Sequence, residues 1–452
     1  MEGRVRKPVT LTVLAALLAS VAAAWPLHAA DDPARIVAIG DVHGAYAEFT
    51  ALLESAGLVD AALDWSGGDA QLVVLGDVLD RGGESRRALE LLMRLREQAA
   101  RAGGDAQLVL GNHEVMNLVG DLRYVTPAEY ETYRPDEPQE EREAAWQRFR
   151  AAARGDDAAL AAQFAARYPP GFFGHRRLFA PNGRFGAWLL ERPVLATGGR
   201  TAFVHGGLSA AVAGRTAAEI NGEYSAALRE YMAAVDVLMA AGALHPEDPF
   251  GEHAALAARF VAARGAAAAE PLRRAAESVA ALRRSAAFRD DAVYWYRGTA
   301  ACSPAIELAR LDRALDGLGV DRVVIGHTPT RDDRVQSRFD AAVIRADTGM
   351  LAAYYGGRAS AVVIGGANVV ALYAGSAETI ALEPQRRTVG HGARGFGDDE
   401  LETLLEQGRI VTTARRANGT ELVQLDRDGE LVAAVFRAAT ASRDFTELPE
   451  VA

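Results

Sequence analysis

The chain has one cysteine, Cys302, and one lysine, Lys7, among its 452 residues. A single cysteine excludes an internal disulfide and any cysteine-built zinc site, so a bound metal must be held by His, Asp, Glu or Asn. No cysteine stands near the N-terminus to carry a lipid. Positive charge is also short: 49 basic residues face 60 acidic ones, a net of -11 that speaks against a general nucleic-acid-binding surface. Beyond Lys7 every basic side chain except histidine is arginine. That suits forked phosphate clamps, although codon bias gives the same composition. Internal repeats and low-complexity tracts are missing too. With 50% hydrophobic and 24% charged residues, the chain reads as a folded protein long enough for two or three domains.

Arg4, Arg6 and Lys7 precede an apolar stretch from Val9 to Leu27, and Leu27-His28-Ala29-Ala30 leads into Asp31-Asp32. A basic start, an apolar run and a small-residue end read as a secretory signal over residues 1–30, cleaved near Ala29 or Ala30. The rival reading is an uncleaved anchor, because roughly 20 apolar residues span a bilayer. Alanine richness and Pro26 favour cleavage. The expectation is export across an inner membrane to the periplasm, with no membrane insertion after cleavage.

Five apolar segments each end in a polar cluster: Ile36-Val37-Ala38-Ile39, Leu72-Val73-Val74-Leu75, Gln107-Leu108-Val109-Leu110, Ala202-Phe203-Val204 and Val323-Val324-Ile325. Continuous apolar runs of this length predict strands covered on both faces. Helical patterns at Ala47 to Ala56 and Glu84 to Ala102 separate the first three, giving a βαβαβ alternation and an α/β class. In such sheets ligands gather at the carboxyl ends of strands, so the clusters can converge. Ala- and Arg-rich insertions at about 127–167 and 210–289 predict helical covers beside the site. Further strands are expected at Ala341 to Arg345, Ala359 to Ile364 and Val369 to Tyr373, the last two as a hairpin. A catalytic domain over 31–384 is expected to give way to a polar linker over 385–396. A small α+β module over 397–452 then follows: a helix Glu400 to Glu406 and strands Ile410 to Ala414, Glu421 to Leu425 and Leu431 to Phe436.

The polar clusters are Gly40-Asp41-Val42-His43-Gly44, Gly76-Asp77-Val78-Leu79-Asp80-Arg81-Gly82, Gly111-Asn112-His113-Glu114, His205-Gly206-Gly207 and Gly326-His327-Thr328. Hard oxygen and borderline nitrogen donors in this mixture suit Mn, Fe or Zn. These motifs, with Tyr294-Trp295-Tyr296-Arg297-Gly298, resemble those of the calcineurin-like metallophosphoesterases, and within them the phosphoprotein phosphatase family, over roughly Ile36 to Gly349. The Ser-Ala-Pro-Asn-Tyr motif of the eukaryotic enzymes is absent. Asp347-Thr348-Gly349-Met350 and Tyr354-Tyr355-Gly356-Gly357 stand instead, which looks like the bacterial Shewanella-like branch.

The resemblance implies a calcineurin-like sandwich, its βαβαβ core flanked by helices, and two divalent metal ions, manganese first. It places Asp41, His43 and Asp77 on the first metal, and Asp77, Asn112, His205 and His327 on the second. It makes Asn112, Arg81 and Arg297 phosphate-binding residues. A hydroxide shared by the metals would attack phosphorus, and His113, oriented by Asp80, would protonate the leaving group. The implied substrate is a phosphoprotein, some members of the branch preferring phosphotyrosine, or a small aryl or alkyl phosphate. A symmetrical dinucleoside-polyphosphate hydrolase and a non-catalytic binding protein are the alternatives; the C-terminal module is a candidate for binding an unknown partner. Glu114 is expected to support its loop and Asp347 to orient a ligand histidine. His175 is expected in a solvated basic loop, His245, His253 and His391 on the surface, and Cys302 as an inert thiol.

Overall fold

The computed structural model describes residues 35–366 and 368–375, and the strand segments 379–381, 410–415, 420–427 and 430–438. The expected signal, linker and helix Glu400 to Glu406, and His391, lie outside the described residues. Strands β1 (Ile36–Ile39), β2 (Gln71–Val74) and β3 (Asp105–Leu108) run parallel. They are joined by α1 (Tyr46–Ser55) and α2 (Ser85–Ala102), and β3 leads into α3 (Asn112–Val119). On α2 the buried Ala88, Leu92, Leu95 and Ala99 form one stripe at helical spacing, and Gly103, at φ 86°, ends the helix. The third strand begins two residues earlier than expected, because Asp105 pairs with Gln71.

A second set comprises β4 (Leu195–Gly198), β5 (Thr201–Val204), β6 (Arg322–Ile325), β7 (Gln336–Arg338) and β8 (Val343–Arg345). Strands β9 (Ser360–Gly365), β10 (Asn368–Tyr373) and β11 (Thr379–Ala381) return to the first sheet. The sheets have orders β11-β10-β9-β1-β2-β3 and β4-β5-β6-β8-β7. Side-chain alternation explains the apolar runs. Ile36, Ala38 and Val73 share a core with Ala196, Phe203 and Val324 of the second sheet, while Val37, Ile39 and Leu72 pack with Phe49 and Leu92 of the helices. Strand β4 was not expected. It pairs with β5 through Gly199 and Arg200, both at φ 53°, the two-residue turn that matches strand twist.

The first insertion forms α4 (Pro127–Thr132), α5 (Gln139–Ala152) and α6 (Asp157–Arg167), then runs past its expected end as α7 (Phe172–Leu178) and α8 (Arg184–Leu189). The second contains α9 (Ala217–Ala240), α10 (His253–Arg264) and α11 (Glu270–Leu282). Near the C-terminus, β12 (Ile410–Arg415), β13 (Thr420–Arg427) and β14 (Glu430–Ala438) form the expected antiparallel meander. Among the described residues no helix is long and apolar enough to cross a membrane.

Two histidines are placed otherwise than the sequence suggests. His175 sits buried on α7, stacked on Phe179 at 4.3 Å, because its helix packs inward rather than looping through solvent. His253 is buried too: its Nε2 donates to the Asp248 carbonyl at 3.1 Å and its Nδ1 accepts from Tyr231 Oη at 3.0 Å. Burial pulls the His253 imidazole down to about 4. The unfolded chain, with an ordinary histidine near 6.5, then binds more protons between those values. This contribution to stability is complete above pH 6.5 and drains away as pH falls toward 4, by on the order of 3 kcal/mol. Chemical denaturation at pH 7 and pH 4.5 should show a larger loss for the wild type than for His253→Gln; equal losses would refute a neutral buried His253.

Candidate active site

All five clusters meet at the carboxyl ends of their strands, as open α/β sheets place their sites. Asp41 and His43 follow β1, Asp77, Asp80 and Arg81 follow β2, Asn112 and His113 open α3, and His205 and His327 follow β5 and β6. The backbone there turns through the left-handed region at His43 (φ 48°), Asp77 (51°), Asp80 (70°), Arg81 (68°) and His327 (65°). Loop-to-loop hydrogen bonds hold these turns: His43 N to Asp77 O at 2.8 Å and Gly82 N to His43 O at 3.0 Å. Glu114 supports its loop as expected, accepting from the backbone N–H groups of Asp77, Val78 and Gly111 at 2.8–2.9 Å. Two glycines are needed for close approach. A Cβ on Gly111 would lie 2.3 Å from Asp77 Oδ1, and one on Gly326 would lie 2.5 Å from Asp41 Oδ1.

Those carboxylates are aimed by the chain itself. Asp77 Oδ1 accepts from His113 N at 3.0 Å, and Asp41 Oδ1 accepts from His327 N at 2.9 Å. Asp77 Oδ2 is thereby left at the centre: 3.1 Å from His205 Nε2, 3.7 Å from His43 Nε2 and 3.8 Å from His113 Nε2. Two buried groups share it, His43–Asp77–His113 and Asp77–His205–His327, each with ligand atoms within 4.8 Å of one another. Asn112 Oδ1 and His327 Nδ1 stand 3.0 and 3.1 Å from His205 Nε2. Asp41 lies just outside the tighter pair of groups, its Oδ2 3.8 Å from His43 Nε2.

The donor set fits divalent cations. A carbonyl oxygen only accepts, so the contacts of His43 Nδ1 with Leu79 O (2.9 Å) and of His205 Nδ1 with Leu75 O (2.7 Å) fix the proton on Nδ1. Both Nε2 atoms then face the cluster, the arrangement of metal-ligating histidines. These carbonyls orient His43 and His205; Asp347 Oδ1 accepts from Gly349 N at 3.0 Å. Burial and then the Asp347 charge push Asp41 well above the usual carboxylate range, and burial raises Asp347 itself to about 6. Burial also acts to raise Asp77, but the charges of His205 and His113 outweigh it and hold Asp77 well below that range. Such a concentration of buried carboxylates is what a cation offsets.

His113 is held from behind. Its Nδ1 donates to Asp80 Oδ2 at 2.5 Å, leaving Nε2 toward the cluster. Asn117 Nδ2 donates to Asp80 Oδ1 at 2.9 Å, and His175 Nε2 donates to Asn117 Oδ1 at 2.9 Å. Sequence reasoning missed both supports. The position of Asn117, four residues after His113 on α3, was the available signal, because that spacing shares a helix face.

The arginines lie on opposite flanks. Arg81 Nη1 reaches His43 Nε2 at 2.9 Å, and Arg297 Nη1 donates to His327 O at 2.7 Å and Thr328 Oγ1 at 3.0 Å. Arg81 is ringed by Tyr124, Tyr354 and Tyr355, each centroid 5.3 Å from its guanidinium carbon. Tyr124 and Tyr354 are exposed, while Tyr355 stacks on His43 at 5.8 Å. Tyr294 and Tyr296 serve packing, their hydroxyls bonded to Ala287 O and Glu307 Oε2. Cys302 is buried, and burial pushes its thiol up to about 12, in keeping with an inert group.

The sequence profile of the calcineurin-like phosphoesterase family matches residues 34–331. Shewanella-like protein phosphatase 2 of Arabidopsis thaliana is 31% identical over 201 residues, covering 40% of this chain and 48% of that protein. Shewanella-like protein phosphatase 1 of Plasmodium berghei is 31% identical over 99 residues, 22% of this chain and 27% of that protein. The chain thus spans about half the length, or less, of these curated relatives. A crystal structure of a mutant cold-active protein tyrosine phosphatase shares the fold, with a TM-score of 0.50 and 24% identity over 76% of this chain and 80% of that one. With the family profile covering well over half of its residues and the family's motifs gathered at one place, the chain belongs to the calcineurin-like phosphoesterases.

Proposed function

We propose that this protein is an exported, metal-dependent phosphomonoesterase acting on aryl phosphates, phosphotyrosine among them. The observation that carries the reading is Asp77 Oδ2, one oxygen standing between two groups of buried ligands. Asp41, His43 and Asp77 would hold one divalent cation, and Asp77, Asn112, His205 and His327 the other. Mixed oxygen and imidazole donors favour manganese, with iron or zinc also compatible. Bound cations would supply Lewis acidity at the phosphoryl oxygens and a water acidic enough to attack phosphorus at neutral pH.

The chain's own groups do the rest. Arg81 and Arg297 present planar guanidinium forks to the equatorial oxygens, where charge develops during transfer. His113 holds a proton at Nε2 while Asp80 fixes the opposite ring nitrogen, and the proton passes to the leaving oxygen. Tyr124, Tyr354 and Tyr355 favour a flat leaving group over an alkyl one, since rings pack on one another. The basic-then-apolar segment of residues 1–30 supports export, and the meander β12–β14 belongs to the separate accessory module proposed for residues 397–452.

The test is phosphate release by residues 31–452 with added manganese from an aryl phosphate, a phosphotyrosine peptide, a phosphoserine peptide and diadenosine tetraphosphate. The aryl and phosphotyrosine substrates should turn over at least about 10-fold faster than phosphoserine, given a ring-lined mouth. Cleavage of the dinucleotide alone would replace the reading with a phosphoanhydride hydrolase. No turnover in the presence of bound metal would replace it with a binding protein.

A further inference from the structure

Behind α3, away from the metal cluster, lies a cavity of about 450 Å³ between the two helical insertions. That volume is in the range of small-ligand sites. One part of its wall is apolar and buried: Leu118 and Val119 from α3, Met232 and Val235 from α9. Glu141, Arg177 and Asp236 stand exposed at its rim, a mixed and solvated set. The buried charge is Arg176, only 8% exposed.

Arg176 is unusual for a buried arginine, because such groups are almost always paired with an anion. Among the described residues no carboxylate pairs with it. Its Nη1 donates to the Asn117 carbonyl at 2.8 Å near the C-terminal end of α3, which accounts for one of five donors. Its Nε is buried with no hydrogen-bond partner at all. Burial pulls the guanidinium down to about 10, the direction expected of a cation lacking a counter-ion.

We propose that this cavity binds a small amphiphilic carboxylate, with the anion on Arg176 and the aliphatic body against the methionine and valine wall of α9. The unsatisfied guanidinium selects the charge, and the buried wall selects a tail over a compact ion such as inorganic phosphate. Methionine side chains adapt to chains of differing shape, which suits an aliphatic rather than a rigid body. No metal-cluster residue lines the cavity, which meets the supports of His113 through the Arg176 contact with the Asn117 carbonyl.

Sodium octanoate is the probe, titrated calorimetrically against the metal-free full chain beside octanol and octylamine. Octanoate should bind saturably and raise Tm, and the alcohol and amine should bind at least about 10-fold more weakly. Arg176→Met should weaken octanoate to the level of octanol. Because that substitution touches a contact to α3, Met239→Trp provides the second variant: Met239 also lines the cavity, and the larger ring fills it. It should abolish octanoate binding while leaving manganese-dependent phosphate release unchanged. Equal binding of octanoate and octanol, or undiminished octanoate binding by Met239→Trp, would overturn the proposal.

Discussion

Asp77→Asn is expected to lower kcat for aryl phosphate hydrolysis by at least about 100-fold at saturating manganese. The oxygen removed is the one that both ligand groups share, so the loss falls on the pair rather than on one side. Asparagine is the informative replacement. It keeps the side-chain shape and Oδ1 acceptance from His113 N, and it tolerates the left-handed backbone at φ 51° that alanine would strain. The apo fold should therefore persist, while manganese bound per chain, read by elemental analysis after desalting, should fall by about half or more. Full metal content with wild-type turnover would remove Asp77 from the bridging role.

His113→Ala is expected to cost at least about 100-fold on phenyl phosphate and markedly less on 4-nitrophenyl phosphate. The reason is proton demand: a nitrophenolate leaves without help, whereas a phenolate needs the proton held at Nε2. A rate series across aryl phosphates should steepen with leaving-group basicity in the variant. His113 Nε2 also lies within the geometry of the first ligand group, so metal content decides between two roles. Retained metal with a steepened series supports the proton donor; lost metal with uniform slowing across the series would make His113 a ligand instead.

Much of this architecture is legible in the sequence because it depends on local pattern. The five apolar runs announce buried strands, and each is followed by the residues that meet at the site. What local pattern does not carry is long-range packing. His175, beside two arginines, and His253, at the start of an alanine-rich run, look like surface residues, yet their helices turn inward and give them Asn117 and Tyr231 as partners. Asp347 follows His327 closely enough to suggest a carboxylate–histidine pair, but its Oδ1 accepts from Gly349 N instead, and the distant carbonyls of Leu79 and Leu75 orient the other two ligand histidines, His43 and His205. Strand β4 was hidden because Leu-Ala-Thr-Gly carries no continuous apolar run, although the Gly199-Arg200 turn beside it was readable. Strand β3 was misplaced by two residues because parallel register, set by Gln71, outranks the apolar run.

The left-handed turns at His43, Asp77, Asp80, Arg81 and His327 have an evolutionary consequence. Each non-glycine residue in that region carries on the order of 1 kcal/mol of strain. Glycine would give a net gain only where no buried hydrogen bond is lost, which makes the partly exposed Arg81 turn the easy route toward thermal robustness. A selection for heat resistance alone should enrich glycine at Arg81, yielding hardier chains that have lost turnover, whereas glycine at Asp80 would strand the buried His113 and Asn117 donors. Laboratory evolution of this scaffold would have to screen for activity at every round, because rigidity and reactivity compete at the Arg81 turn.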